Sequence, residues 1–204
     1  GAGNDVLIST TAPDTLIGGL DDDRYVLGAD WGADEIIELA NEGNDTLDLT
    51  GVGNVDVTVL LADRTTSGAN VALHEGNRIE NFVANPSSTG VRLLQIVQPG
   101  EQITIANGRI QRGSETPVNF IGFNKIDVEV AGGLVRVTEN LEVDGLLRIK
   151  TGTLELQAGL KAGTIVLEVD NPLIVTQPTS LVDGLGEMIL LQADGLRIKH
   201  GGGV

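Results

Sequence analysis

Asp5, Asp14 and Asp23 stand nine residues apart in the opening stretch GAGNDVLIS TTAPDTLIG GLDDDRYVL, and an apolar residue follows each two places on: Leu7, Leu16 and Tyr25. Carboxylates repeated at a fixed period, with one base (Arg24) among them, suit the chemistry of a hard divalent cation. Ca2+ takes six to eight oxygen ligands in flexible geometry. Glycines let a turn present backbone carbonyls in conformations closed to other residues. An aspartate just after such a turn adds a carboxylate, and the apolar residue beyond it points into a core.

Such residues need an element that stacks them. Two nine-residue halves make one coil, so residues eighteen apart lie one above the other. Asp5 and Asp23 are then expected on one edge and Asp14 on the opposite edge. The first block, G-A-G-N-D-V-L, follows the Ca2+-binding nonapeptide pattern G-G-x-G-x-D-x-U-x. The second block has Thr10 and Ala12 at glycine positions, and the third has Asp21 at one. Asp21 and Asp22 are expected to stand in for the lost carbonyl geometry. Asp34 and Asp45 follow G-A and G-N but break the period, so the roll is expected to widen there. The expected metal ligands are Asp5, Asp14, Asp21, Asp23, Asp34 and Asp45, holding about one to three ions. The competing reading is that these aspartates simply initiate turns.

At this point the chain resembles the RTX (repeats-in-toxin) family. Residues 19–52, GLDDDRYVLGADWGADEIIELANEGNDTLDLTGV, look like the segment that closes such rolls, with D-x-Y-V, then W-G-x-D-x-I-x-E, then G-x-D-T-L. VTVLLAD and NRIENFV look like the strand and connector that follow. The resemblance covers about residues 1–85. It implies a Ca2+-stabilised β-roll, and export by a type I secretion system to the extracellular space or cell surface.

Composition sets the outer limits. The 204 residues carry a formal charge of −16, with 29 acids against 13 bases. Residues 1–60 hold thirteen acids and one base, a net −12. That charge argues against nucleic acid and anionic membrane surfaces as partners. No run of about 18 apolar residues is present, so no membrane insertion is expected. Cysteine is absent, so neither disulfides nor thiolates contribute. The chain starts inside a repeat without an initiator Met, and joining its terminal GGGV to GAGNDVL keeps a repeat-like rhythm. A module cut from a larger tandem protein is therefore expected.

Beyond the nonapeptides, period-2 alternation dominates: QITIA (102–106), KIDVEV (125–130), LVRV (134–137), LEV (141–143), LRI (147–149), TLELQA (153–158), TIVLEV (164–169) and MILLQA (188–193). RTTSGAN and NPSSTG read as loops. The fold class expected is all-β, a parallel β-roll or β-solenoid of short strands; the alternative is a β-roll followed by a small β-sandwich. Three regions follow: a calcium-binding β-roll at 1–52, a connecting β region at 53–100, and a solenoid-like stack at 101–204. Tyr25 and Trp31 read as core or cap residues, and His74 and His200 as surface residues. No G-x-S-x-G elbow and no acid/base cluster is present, so an enzyme is not expected. The expected role is a structural, calcium-binding module of a large secreted or surface protein, with end-to-end assembly of copies left open by its strand edges. The alternative is a non-catalytic module of a secreted polysaccharide-modifying enzyme or adhesin.

Overall fold

The computed structural model describes residues 1–29, 31–39, 42–53, 79–85, 99–171 and 174 with their side chains. It also describes backbone strands at 57–60, 65–67, 71–73, 92–97, 173–175, 182–183, 188–193 and 196–198. His74, His200 and the terminal GGGV lie outside the described residues. No helix occurs among the described residues; strands make up 56%, in parallel β-solenoid coils of about six turns. The chain divides into two compact units, residues 1–95 with 118–123, and residues 96–117 with 124–204.

In chain order the strands are β1 (Val6–Ile8), β2 (Thr15–Ile17), β3 (Arg24–Val26), β4 (Asp34–Ile37), β5 (Thr46–Asp48), β6 (Val57–Leu60), β7 (Thr65–Ser67), β8 (Val71–Leu73), β9 (Asn81–Val83) and β10 (Arg92–Val97). They continue as β11 (Gln102–Ala106), β12 (Arg109–Arg112), β13 (Val118–Ile121), β14 (Lys125–Val137), β15 (Leu141–Leu156) and β16 (Leu160–Val169). The last four are β17 (Leu173–Val175), β18 (Val182–Asp183), β19 (Met188–Ala193) and β20 (Leu196–Ile198).

In the first unit β1, β3, β5, β9 and β13 stack in parallel, each strand one coil beyond the last. The register places Leu7 against Tyr25, Tyr25 against Leu47, Leu47 against Phe82, and Phe82 against Phe120. The opposite wall is β2, β4 and β8, with Leu16 against Ile36. The apolar residue two places after each aspartate therefore becomes a ladder through the interior. Tyr25, Leu27, Ile36, Leu47, Leu49 and Phe82 are wholly or almost wholly buried. Each large apolar side chain removed from water contributes about 1.5–3 kcal/mol. Within RTTSGAN, Thr65–Ser67 is a strand rather than loop, paired antiparallel with β6 as a hairpin.

The second unit repeats the plan with longer strands. KIDVEV and LVRV fuse into β14, and LEV, LRI and the start of TLELQA into β15, with parallel pairing on both sides of each coil corner and a register shift at the corner itself. Gly133 sits at one such corner, where a Cβ would lie 2.2 Å from the Glu101 carbonyl oxygen of the neighbouring coil. Acids and bases on the outer faces of this unit match between coils. Arg148 bonds Asp127 at 3.0 Å and Glu168 at 3.2 Å, Lys150 bonds Glu129 at 2.8 Å, and Arg136 bonds Glu155 at 3.0 Å. Lys161 pairs with Glu142. Pairs as exposed as these contribute about 0–1 kcal/mol each, but they leave little uncompensated charge.

Candidate metal centre

The first unit has no such supply of cations. Its single early base, Arg24, is bonded to Asp48, whose other carboxylate oxygen accepts from the Thr50 amide and hydroxyl. Burial pushes the Asp48 carboxyl up, but the Thr50 bonds and Arg24 outweigh it and hold the group below its ordinary range. The remaining acids of the turns face one another.

Those acids form two ladders. On one edge, the Asp5 amide donates to Asp23 Oδ1 at 2.8 Å, eighteen residues on. The Asp23 amide donates to Asp45 Oδ1 at 2.8 Å, twenty-two residues on, and the Asp45 amide to Glu80 Oε2 at 3.0 Å. On the other edge, the Asp14 amide donates to Asp34 Oδ1 at 2.9 Å across twenty residues. Asp5 and Asp23 thus occupy one edge and Asp14 the other. Asp34 and Asp45, irregular in sequence, join the same ladders because the coil lengthens from eighteen to twenty-two residues between them.

Asp23, Asp34 and Asp45 each cap a backbone amide of the preceding coil with one oxygen, so the second oxygen decides the chemistry. Asp14, the first on its edge, accepts locally instead: its Oδ2 takes the Thr10 amide at 2.8 Å and hydroxyl at 2.7 Å, and both bonds hold its carboxyl below the usual range. Asp23 and Asp34 have no such neighbour. Both are 2% exposed, and the Oδ2 atom of each has no hydrogen-bond partner. Among the described residues only Ser9 Oγ shares that condition. An unpaired buried oxygen of this kind costs about 1–3 kcal/mol, more where it is charged. A hard cation removes that cost, and the oxygens gathered here are carboxylates, hard ligands of the kind it takes.

Asp21 is exposed and occupies the position of Gly3 in the coil above. It adopts φ +80°, the left-handed region, and its Oδ2 accepts from the Gly3 amide at 2.9 Å. Asp22 accepts from the Asn44 amide at 3.0 Å. Both extra carboxylates of the third block therefore tie neighbouring turns together.

Sequence spacing did not single out Glu38. One oxygen each of Asp23, Glu38 and Asp45 lie within 4.8 Å of one another, and all three residues are buried. Glu38 has 0% exposure. Its Oε2 accepts from the Tyr25 hydroxyl at 2.5 Å and its Oε1 from the Leu39 amide at 3.1 Å. The Tyr25 oxygen in turn accepts from the Gly18 amide at 2.8 Å. Burial, with Asp45 and Glu42 nearby, pushes the Glu38 carboxyl up to about 7 against the Tyr25 and Leu39 bonds. Burial, with Glu80, Asp23 and Asp22, pushes Asp45 up to about 6 against its bond from the Asp23 amide. Burial and Glu38 raise the Tyr25 phenol, so it keeps its proton and acts as a donor. The signal that could have found Glu38 is register: it lies four residues after Asp34, the place that Ser9, Gly18, Leu27 and Leu49 fill after Asp5, Asp14, Asp23 and Asp45. All of these are buried. Trp31 is half-buried.

No family model matches the chain, and no curated protein or solved structure matches it.

Proposed function

We propose that the chain is a Ca2+-binding structural module, similar to the RTX β-roll, belonging to a larger secreted or cell-surface protein. The observation that carries this reading is the pair of buried, unpartnered oxygens, Asp23 Oδ2 and Asp34 Oδ2, one on each edge of the first unit. Asp23 and Asp45 would hold a cation on one edge and Asp34 on the other, with Asp5, Asp14 and Asp21 lining the same edges. Ca2+ supplies positive charge and oxygen coordination where the chain has neither base nor donor. Carboxylates and backbone carbonyls in turns of unequal length suit Ca2+ better than Mg2+, which demands near-ideal octahedral geometry.

The protein's own part is to stack carboxylates so that closing a coil creates the site. Open coils present separated, solvated aspartates; closed coils force them together. A cation that binds only the closed form stabilises it by about 2.7 kcal/mol when present at a hundred times its dissociation constant. In low Ca2+ the repulsion keeps coils loose, which suits export, and millimolar Ca2+ outside the cell closes them.

Thermal unfolding followed by circular dichroism, in chelator and in millimolar Ca2+, tests the reading. The expected result is a rise in β signal and in Tm with Ca2+, both largely lost in the Asp23→Asn/Asp34→Asn double variant. Identical curves in chelator and Ca2+ overturn it.

A further inference from the structure

We infer that Glu38 is a cation ligand, forming with Asp23 and Asp45 an interior carboxylate site on the core side of the turn edge, its side chain oriented by Tyr25. This rests on the calcium reading above and adds a ligand from the strand wall, outside the turn aspartates that the nine-residue period marks.

Glu38 occupies a position that points inward. It directly follows Ile37, which pairs with Ile17, so it lies one coil from Gly18. Gly18 makes room for charge at this point in the core. Gly18 has no side chain: a Cβ there would sit 2.1 Å from Asp23 Oδ2 and 2.6 Å from the Tyr25 hydroxyl oxygen. The unpartnered Asp23 Oδ2 and the Tyr25–Glu38 pair therefore converge on the same small space beside the Gly18 backbone. Independently of the acidic cluster itself, that Oδ2 is a buried oxygen aimed at this space with nothing to bond.

The spacing suits one ion. Ca2+ holds oxygens at about 2.3–2.6 Å, so two ligands on opposite sides of it stand about 5 Å apart. One oxygen from each of the three carboxylates lies within 4.8 Å of the other two. Tyr25 bonds Glu38 through Oε2 and the Leu39 amide bonds Oε1, which fixes the carboxylate plane while leaving each oxygen a further lone pair. No base among the first sixty residues competes for the position, because Arg24 is engaged by Asp48.

The test uses the full chain, with CaCl2 titrated by calorimetry into wild type and Glu38→Gln, thermal unfolding of each in chelator, and Tb3+ luminescence as a local probe. Tyr25 is the only tyrosine, and its contact with Glu38 makes it the nearest sensitiser of a lanthanide bound there. Glu38→Gln should keep or raise the chelator Tm, since it removes a buried like charge. It should nevertheless weaken one class of Ca2+ site by about tenfold or more, shrink the Ca2+-induced Tm rise, and reduce tyrosine-sensitised Tb3+ emission. A side chain with only a structural role would lower the chelator Tm and leave the titration alone. If Glu38→Gln fails to fold, Glu38→Asp keeps the charge with a shorter reach and must also lose affinity. Wild-type stoichiometry and affinity in the folded variant overturn the inference and leave the calcium reading standing. A wild-type protein that ignores Ca2+ overturns both.

Discussion

A buried carboxylate answers to its two oxygens separately. In Asp23 and Asp34 one oxygen is spent on a backbone amide and the other is left dry, whereas in Asp14 the Thr10 amide and hydroxyl both donate to Oδ2. The same crowding sets the pH response. Glu38 and Asp45 ionise near 7 and 6 in the folded protein, against ordinary values of 4.5 and 3.8. Between those limits the folded chain binds more protons than the unfolded chain, so stability falls as pH rises. Metal-free protein is therefore expected to show a higher Tm at pH 5 than at pH 8, the loss falling between about pH 4 and pH 7. Scans across that range in chelator check this, and millimolar Ca2+ should flatten the slope by replacing the protons. A Tm that rises steadily from pH 5 to pH 8 in chelator contradicts it.

At the scale of the coil, what matters is which positions must be small. Gly18 ends β2 and meets Asp23 Oδ2 and the Tyr25 hydroxyl, so a methyl group has nowhere to go without displacing them. Gly18→Ala is expected to cost about 1–3 kcal/mol through overpacking and to weaken Ca2+ binding as well, read by denaturant unfolding with and without Ca2+. Leu47 occupies the interior ladder between Tyr25 and Phe82 and is wholly buried. Leu47→Ala should cost about 2–5 kcal/mol with Ca2+ present or absent, since the cavity lies in the apolar ladder rather than among the carboxylates. A Leu47→Ala protein whose loss disappears on adding Ca2+ would tie that ladder to the site.

Over the whole molecule, charge compensation divides the chain. Acids of β14, β15 and β16 meet Arg136, Arg148, Lys150 and Lys161 in the next coil, while the acids of residues 1–49 meet mainly one another and backbone amides. Hydrogen exchange in chelator should accordingly be faster for amides of β1–β5 than for those of β14–β16. Adding Ca2+ should protect the first group most. Equal protection in both groups without Ca2+ would mean that the carboxylate ladders hold closed without a cation. Local opening of this kind follows the distribution of stabilising contacts along the chain.

The aspartate period, the apolar residue two places on and the alternation of the later segments determined a stacked, all-β chain with Asp5 and Asp23 on one edge. These are local patterns, and a coil of eighteen residues converts sequence period directly into spatial register. Tertiary structure alone decided the rest. Asp34 and Asp45 enter the ladders because strand pairing keeps Leu16 over Ile36 and Tyr25 over Leu47 although the coils are longer than eighteen residues. Glu38 reads in sequence as one more acid in a strand of alternating polarity, yet the pairing of Ile37 with Ile17 sets it inward one coil from Gly18. Tyr25, expected as core, is core with its ring and a hydrogen-bond donor with its hydroxyl. The physical reason is that backbone pairing and apolar burial set the register, and buried carboxylates must accept whatever neighbours that register brings. A period in the sequence shows which residues stack; only the closed coil shows which oxygens are left without a partner.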